Sequence, residues 1–226
     1  MIKTYKDLNL IFLGAPGAGK GTVANQLVLN DEFIQVSTGE ILREEIRNQT
    51  KLGLEAQAIM SRGDYVSDDI VNEIIKAKLN KLTSLNQHFI LDGYPRTLAQ
   101  VNFLESLEFT KIDYVILLNI EQDVILERLT NRRICQNCGA TYHLISKKPQ
   151  VENICDECKN PLIQRKDDQP DVILKRLDVF TQQTKPLIDT YKQKGNLIEI
   201  NANQDIEDVY LDIKNKLIES IQNDFN

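Results

Sequence analysis

A chain of 226 residues, 42% hydrophobic and 27% charged, has room for one α/β domain with a substantial core, with or without insertions. Its net charge of −6 excludes a global basic field for nucleic acid or a membrane surface, so an anionic ligand must be held by locally focused positive charge. No apolar run has the length of a membrane span and the N-terminus has no secretory apolar core, so the expected setting is the cytoplasm.

The first predicted strand, Leu10–Leu13, runs into Gly14-Ala15-Pro16-Gly17-Ala18-Gly19-Lys20-Gly21-Thr22 and then into a helical pattern with Val23, Ala24, Leu27 and Val28 on one face. Strand, glycine loop and helix form the context of a phosphate-binding loop, in which backbone N–H groups and the helix N-terminus face an anion. An ordinary glycine turn would not need the added lysine. The fit to G-x-x-x-x-G-K-[ST] is incomplete, because Gly21 takes the hydroxyl position and Thr22 follows one residue late.

Phe33–Val36 reads as a second strand. Ser37 and Glu40 have capping-box spacing for a helix that starts near Thr38 and carries Ile41, Leu42 and Ile46. A short helix over Leu52–Ser61 is closed by Gly63, and Ser67-Asp68-Asp69 caps a long amphipathic helix running through Leu82. Phe89–Leu91 is a buried strand ending in the charged loop Asp92-Gly93-Tyr94-Pro95-Arg96, followed by a helix over Leu98–Leu107. An acid at a strand end can hold the water shell of Mg²⁺, and the arginine can grip a phosphate with two parallel bonds. Tyr114–Leu118 is the clearest strand, and Glu121–Thr130 is helical.

From Asn131 to Asp168 the apolar periodicity fades, as expected of a small inserted domain. It contains all four cysteines, as Cys135-x2-Cys138 and Cys155-x2-Cys158 separated by sixteen residues. This spacing points to a structural zinc ion in a closed four-thiolate shell, which replaces the core that so short and polar an insert cannot build. His143 is not needed as a ligand. Pro170 suits the first turn of a helix with Val172, Leu174, Leu177, Phe180 and Leu187 inward, bent at Pro186 and ended by Gly195. Leu197–Ile200 is the last strand and Ile206–Ile221 the last helix. Alternating strands and helices predict a parallel sheet covered on both faces, with ligands beyond the carboxyl ends of the strands.

Taken together, G-A-P-G-A-G-K-G-T, S-T-G-E-I-L-R, D-G-Y-P-R-T and R-K-D-D resemble the motif set of the adenylate kinases from about Leu8 onward. Gly21 before Thr22 is itself typical of nucleoside monophosphate kinases. The resemblance implies a three-layer α/β/α P-loop fold with a central parallel sheet and an inserted zinc-binding lid. It implies a core over 1–36, 67–130 and 169–226, an AMP-binding segment over 37–66, and the lid over 131–168. The substrates implied are ATP, AMP and ADP with magnesium, in a monomer that engages neither nucleic acid nor membrane.

Carried over position by position, Gly17, Ala18, Gly19, Lys20, Gly21 and Thr22 match the loop around the ATP phosphates. Arg128 matches the arginine that packs on the ATP adenine, Thr141 and Tyr142 lie where the lid meets the nucleotide, and Gln204 reaches the adenine edge through its backbone. Thr38, Arg43, Tyr65, Val66, Gly93, Tyr94, Pro95, Arg96 and Gln100 match the AMP site, with Thr38 and Gln100 implied to favour adenine. Lys20, Arg96, Arg132, Arg165 and Arg176 are implied to surround the transferring phosphoryl group, the last two also reaching AMP, and Asp92 to hold magnesium through water. Tyr94 stands where many relatives have phenylalanine, with little effect expected. Two other readings are a kinase for UMP or CMP on the same scaffold and a nucleotide-binding zinc protein without transferase activity.

Overall fold

The computed structural model describes residues 4–224. Five parallel strands form the central sheet: β1 (Leu10–Leu13), β2 (Ile34–Ser37), β3 (Phe89–Asp92), β4 (Tyr114–Asn119) and β8 (Leu197–Asn201), in the order β2-β3-β1-β4-β8. The central strand β1 is buried along its whole length, which is why it reads as a continuous apolar run. Alternation divides its side chains between two cores. Leu10 and Phe12 join Ile90, Ile116 and Ile198 under α1 (Lys20–Asp31) and α9 (Ile206–Asp224). Ile11 and Leu13 join Leu91, Val115 and Leu117 under α4 (Asp68–Ser84), α5 (Leu98–Glu105) and α8 (Pro186–Gln193).

Several elements differ from their expected form. The strand β2 is Ile34–Ser37, so Phe33 lies outside it and packs in the core at 2% exposure. The helix α2 (Thr38–Arg47) starts where expected, but the Ser37 side chain makes no capping bond and Glu40 turns away to arginines. The N-cap of α3 (Lys51–Ser61) is Thr50, whose hydroxyl accepts from Gly53 N at 3.0 Å. Ser67 likewise makes no side-chain cap for α4. The helix α5 ends at Glu105, two residues short of Leu107.

After α6 (Gln122–Thr130) the insert folds into a second sheet of three short antiparallel strands, β5 (Arg132–Cys135), β6 (Thr141–His143) and β7 (Leu162–Ile163). Sequence periodicity did not reveal them, because two- to four-residue strands around a cluster of four cysteines need no apolar repeat. In α7 (Pro170–Val179) the inward residue is Ile173 at 0% exposure, and Leu174 is exposed, contrary to expectation. Before Pro186 the chain does not simply bend. It widens into a π turn at Phe180–Thr184, where Lys185 N donates to Phe180 O at 2.8 Å.

Candidate active site

The loop between β1 and α1 turns through left-handed glycines: φ is 84° at Gly17 and 88° at Gly19, which is also the N-cap of α1. At Gly14 a Cβ would lie 2.8 Å from Leu118 O, so the loop leaves β1 in close contact with β4. The Lys20 ammonium lies inside this curl and donates to Gly14 O at 2.7 Å and Ala15 O at 2.9 Å. Burial lowers its pKa to about 8; Asp92 opposes the shift, and Arg96, Arg176 and Arg132 deepen it. Ala18 is buried, and Gly21 and Thr22 are exposed. A Cβ at Gly21 would stand 3.4 Å from Asp92 Oδ2, so this position faces the acid at the end of β3. Gln35 Nε2 holds that carboxylate oxygen at 3.0 Å. One carboxylate beside a phosphate loop suits magnesium, which keeps most of its waters.

On the neighbouring strand ends, Thr38 Oγ1 donates to Gly93 O at 2.8 Å. Gly93 has φ 74°, and a Cβ there would meet Arg96 Nη2 at 2.7 Å. Tyr94 is fully buried, with its hydroxyl donating to Asn72 Oδ1 at 2.7 Å, and Pro95 follows through a cis peptide. The added hydroxyl is therefore a bonded core group. Gln100 is committed at both ends of its amide: Oε1 accepts from Arg96 N at 2.7 Å and Nε2 donates to Asp68 Oδ1 at 2.6 Å. Val66 is buried against the α4 side of the sheet, and the Tyr65 ring carries the Arg96 guanidinium 4.8 Å from its centroid.

The arginines converge from four parts of the chain. Glu40 Oε1 accepts from Arg43 Nε at 3.0 Å and from Arg165 Nη2 at 2.9 Å, joining α2 to the end of the lid. Arg132 chelates Asp168 through Nε at 2.8 Å and Nη2 at 2.6 Å, and Arg176 Nη1 reaches the same carboxylate at 3.1 Å. Asp168 is 0% exposed. Burial lowers the pKa of Arg165, and repulsion from Arg132 and Arg43 lowers it further. Arg165 Nε is buried without a hydrogen-bond partner. Crowded, desolvated guanidiniums with an unused donor are chemically suited to a polyanion.

The remaining predicted residues lie further out. Arg128 Nη2 donates to Ala202 O at 2.9 Å, between α6 and the end of β8. Gln204 Nε2 donates to Asp212 Oδ2 at 2.7 Å. Thr141 pairs with Ile134 across β5 and β6. The Tyr142 side chain is buried within the lid, where its hydroxyl accepts from Asp156 N at 2.8 Å and lies 3.5 Å from Cys155 Sγ.

The Sγ atoms of Cys135, Cys138, Cys155 and Cys158 lie within 4.8 Å of one another, and none is in a disulfide. Four sulfurs this close fit a tetrahedral ion bound at about 2.3 Å. The backbone and side-chain N–H groups of Asn160 lower the pKa of the Cys158 thiol, whereas at Cys138 the lowering by the Ala140 backbone is outweighed by burial and the sulfur neighbours, which raise it. His143 stays outside the cluster; its Nδ1 accepts from Ser146 N at 3.1 Å.

Sequence reasoning missed Glu40 as the bridge between α2 and the lid, although it stands inside S-T-G-E. It marked Asp168 only by its place at the end of R-K-D-D, whereas the structure buries it between Arg132 and Arg176. Gln35 had no signal, since it lies in no chemical motif.

Comparison with known proteins agrees with this geometry. The adenylate kinase family model matches residues 12–196. An adenylate kinase of Geobacillus sp. (strain WCH70) is 45% identical over 213 residues, covering 93% of this chain and 98% of the relative. One from Bacillus subtilis (strain 168) is 44% identical over the same shares, and one from Petrotoga mobilis is 42% identical over 93% of this chain and 97% of its own. Motifs, parallel sheet, converging arginines and near full-length similarity agree: the chain belongs to the adenylate kinase family.

Proposed function

We propose that this chain catalyses MgATP + AMP ⇌ 2 ADP, with Arg43 and Arg96 on the AMP phosphate and Lys20 on the transferring group. The observation that carries the reading is the convergence of Lys20 with Arg96, Arg132 and Arg176 within one electrostatic neighbourhood, at the carboxyl ends of β1 and β3. A phosphate oxygen of AMP attacks the γ-phosphorus in line. That oxygen is already anionic, so no general base is required. The protein's share is positioning and charge stabilisation. Arg132, Arg165 and Arg176 balance the equatorial oxygens of the transferring group. Asp68 and Gln100 fix the loop that presents Arg96.

Asp92 is the group that would hold the waters of a magnesium ion arriving with ATP, and that ion would supply charge neutralisation. Cys135, Cys138, Cys155 and Cys158 would hold a zinc ion that stiffens the lid; residues 131–168 would then close as a unit over ATP while residues 37–66 close over AMP. Closure excludes water, the competing nucleophile. The enzyme is proposed to act as a monomer in the cytoplasm. Among the described residues no helix is long and apolar enough to cross a membrane.

Thr38 and Gln100 match the positions that the family resemblance assigns to adenine, and this match favours AMP over UMP or CMP as acceptor. Steady-state ADP formation from MgATP with AMP, UMP, CMP and GMP in parallel tests this. Turnover with AMP at least tenfold above the others is expected. Equal turnover with UMP or CMP points to the wider kinase, and acceptor-independent ATP hydrolysis to a non-transferase.

A further inference from the structure

Arg96 is held at several points, and one of its restraints comes from a residue outside every motif. Its backbone N donates to Gln100 Oε1 at 2.7 Å, and its Nε donates to Gly93 O at 2.7 Å. Its guanidinium lies over the Tyr65 ring. Its carbonyl accepts from Thr184 Oγ1 at 2.9 Å. Thr184 ends the π turn and is 4% exposed. A threonine hydroxyl has one proton, and the Arg96 carbonyl takes it. The 3.0 Å contact between Thr184 Oγ1 and the Tyr65 hydroxyl must therefore have tyrosine as donor. The polar chain has one direction: Tyr65 O–H to Thr184 O–H to Arg96 C=O.

This chain closes a ring. Tyr65 is tied to the Arg96 peptide through Thr184, and the same tyrosine supports the Arg96 guanidinium with its face. With Nε spent on Gly93, the two terminal nitrogens of Arg96 are what it has left for a phosphate. Tyr65 lies at the end of the segment expected to move with AMP, so the ring links that segment to the loop after β3.

We propose that Thr184 is a positioning residue for Arg96, acting jointly with the side chain of Tyr65 on the acceptor side of phosphoryl transfer. The inference rests on the adenylate kinase reading. Thr184→Val keeps the shape and removes the relay, Thr184→Ser keeps the hydroxyl, and Tyr65→Phe keeps the ring but not the donor. Small misplacement of a phosphate-gripping group costs up to about a hundredfold in rate. For Thr184→Val we expect kcat to fall about tenfold and the AMP KM to rise severalfold, with the ATP KM within about twofold.

Serine should restore most of the rate. Because both groups act on one arginine, Tyr65→Phe should add little to Thr184→Val. Unchanged kcat and AMP KM in a folded Thr184→Val protein, a serine variant as slow as valine, or fully additive effects would each overturn the inference. If Thr184→Val does not fold, Tyr65→Phe and Thr184→Ser carry the test: a slow phenylalanine variant beside a near-normal serine variant supports the relay, and any other pairing overturns it. A wild-type protein without AMP-dependent ADP formation overturns the kinase reading as well, whereas an active wild type with an indifferent Thr184→Val overturns this inference alone.

Discussion

Lys20 illustrates how much of a site one residue can register. Its ammonium is buried against two loop carbonyls and surrounded by guanidiniums, and its pKa falls to about 8. An arriving triphosphate reverses that shift by favouring the charged form. Above pH 8 binding must therefore take up a proton, and below pH 8 it need not. ATP affinity measured by calorimetry is expected to be flat up to about pH 8 and to weaken as pH rises further. Lys20→Met should lose ADP formation, keep its fold, and show no such slope. A wild-type affinity that stays flat to pH 9.5 would contradict this account. Lys20, Arg96 and Arg165 were legible from the sequence because each stands inside a motif whose chemistry is local. Glu40, Gln35 and Thr184 were not, because their roles come from partners on other elements: Arg165, Asp92 and Arg96.

At the level of elements, apolar runs announced the strands, and most helices fell where their periodicity placed them. The failures were at ends and in the insert. Ser37 and Ser67 have the right residue type for caps, yet neighbouring acids are drawn elsewhere: Glu40 to Arg43 and Arg165, Asp68 to Thr97 and Gln100. The arginines on Glu40, and the hydroxyl and amide on Asp68, engage these carboxylates, while the helix-end N–H groups are left to water. The α2–α3 hairpin depends on a glycine that no motif marks. A Cβ at Gly53 would lie 2.1 Å from Glu45 O, which belongs to backbone and cannot swing aside. Gly53→Ala should cost about 1–3 kcal/mol through forced separation of the two helices. At about 2–4 °C per kcal/mol for a chain of this size, a thermal melt resolves the loss. An unshifted midpoint would show that the hairpin relaxes freely.

Across the whole molecule, the two cores differ from the lid in what holds them. The sheet faces bury continuous apolar clusters, whereas the lid cluster consists of Cys135, Tyr142, Cys155 and Leu162 with Ala140 and Cys158 packed against it. So small a core supports the proposal that a metal on the four cysteines holds the lid together. Stripping metal with a chelator should lower the unfolding midpoint and slow ADP formation, and added zinc should restore both. Cys155→Ser should reproduce the loss without chelator. Metal removal that leaves both unchanged would overturn the structural role.

The strand order has a consequence for how the chain is made. The central strand, Leu10–Leu13, pairs with Ile90–Asp92 and Tyr114–Leu117, and the outer strand at Leu197–Asn201 pairs only with β4. During synthesis the first strand to leave the ribosome therefore waits for partners some eighty and a hundred residues behind it. The sheet is not complete until Asn201 has emerged. The lid strands form a sheet separate from the central one, and all four cysteines lie between Cys135 and Cys158. The residues that form the lid sheet and bring the four cysteines together have thus all emerged before the scaffold itself is whole.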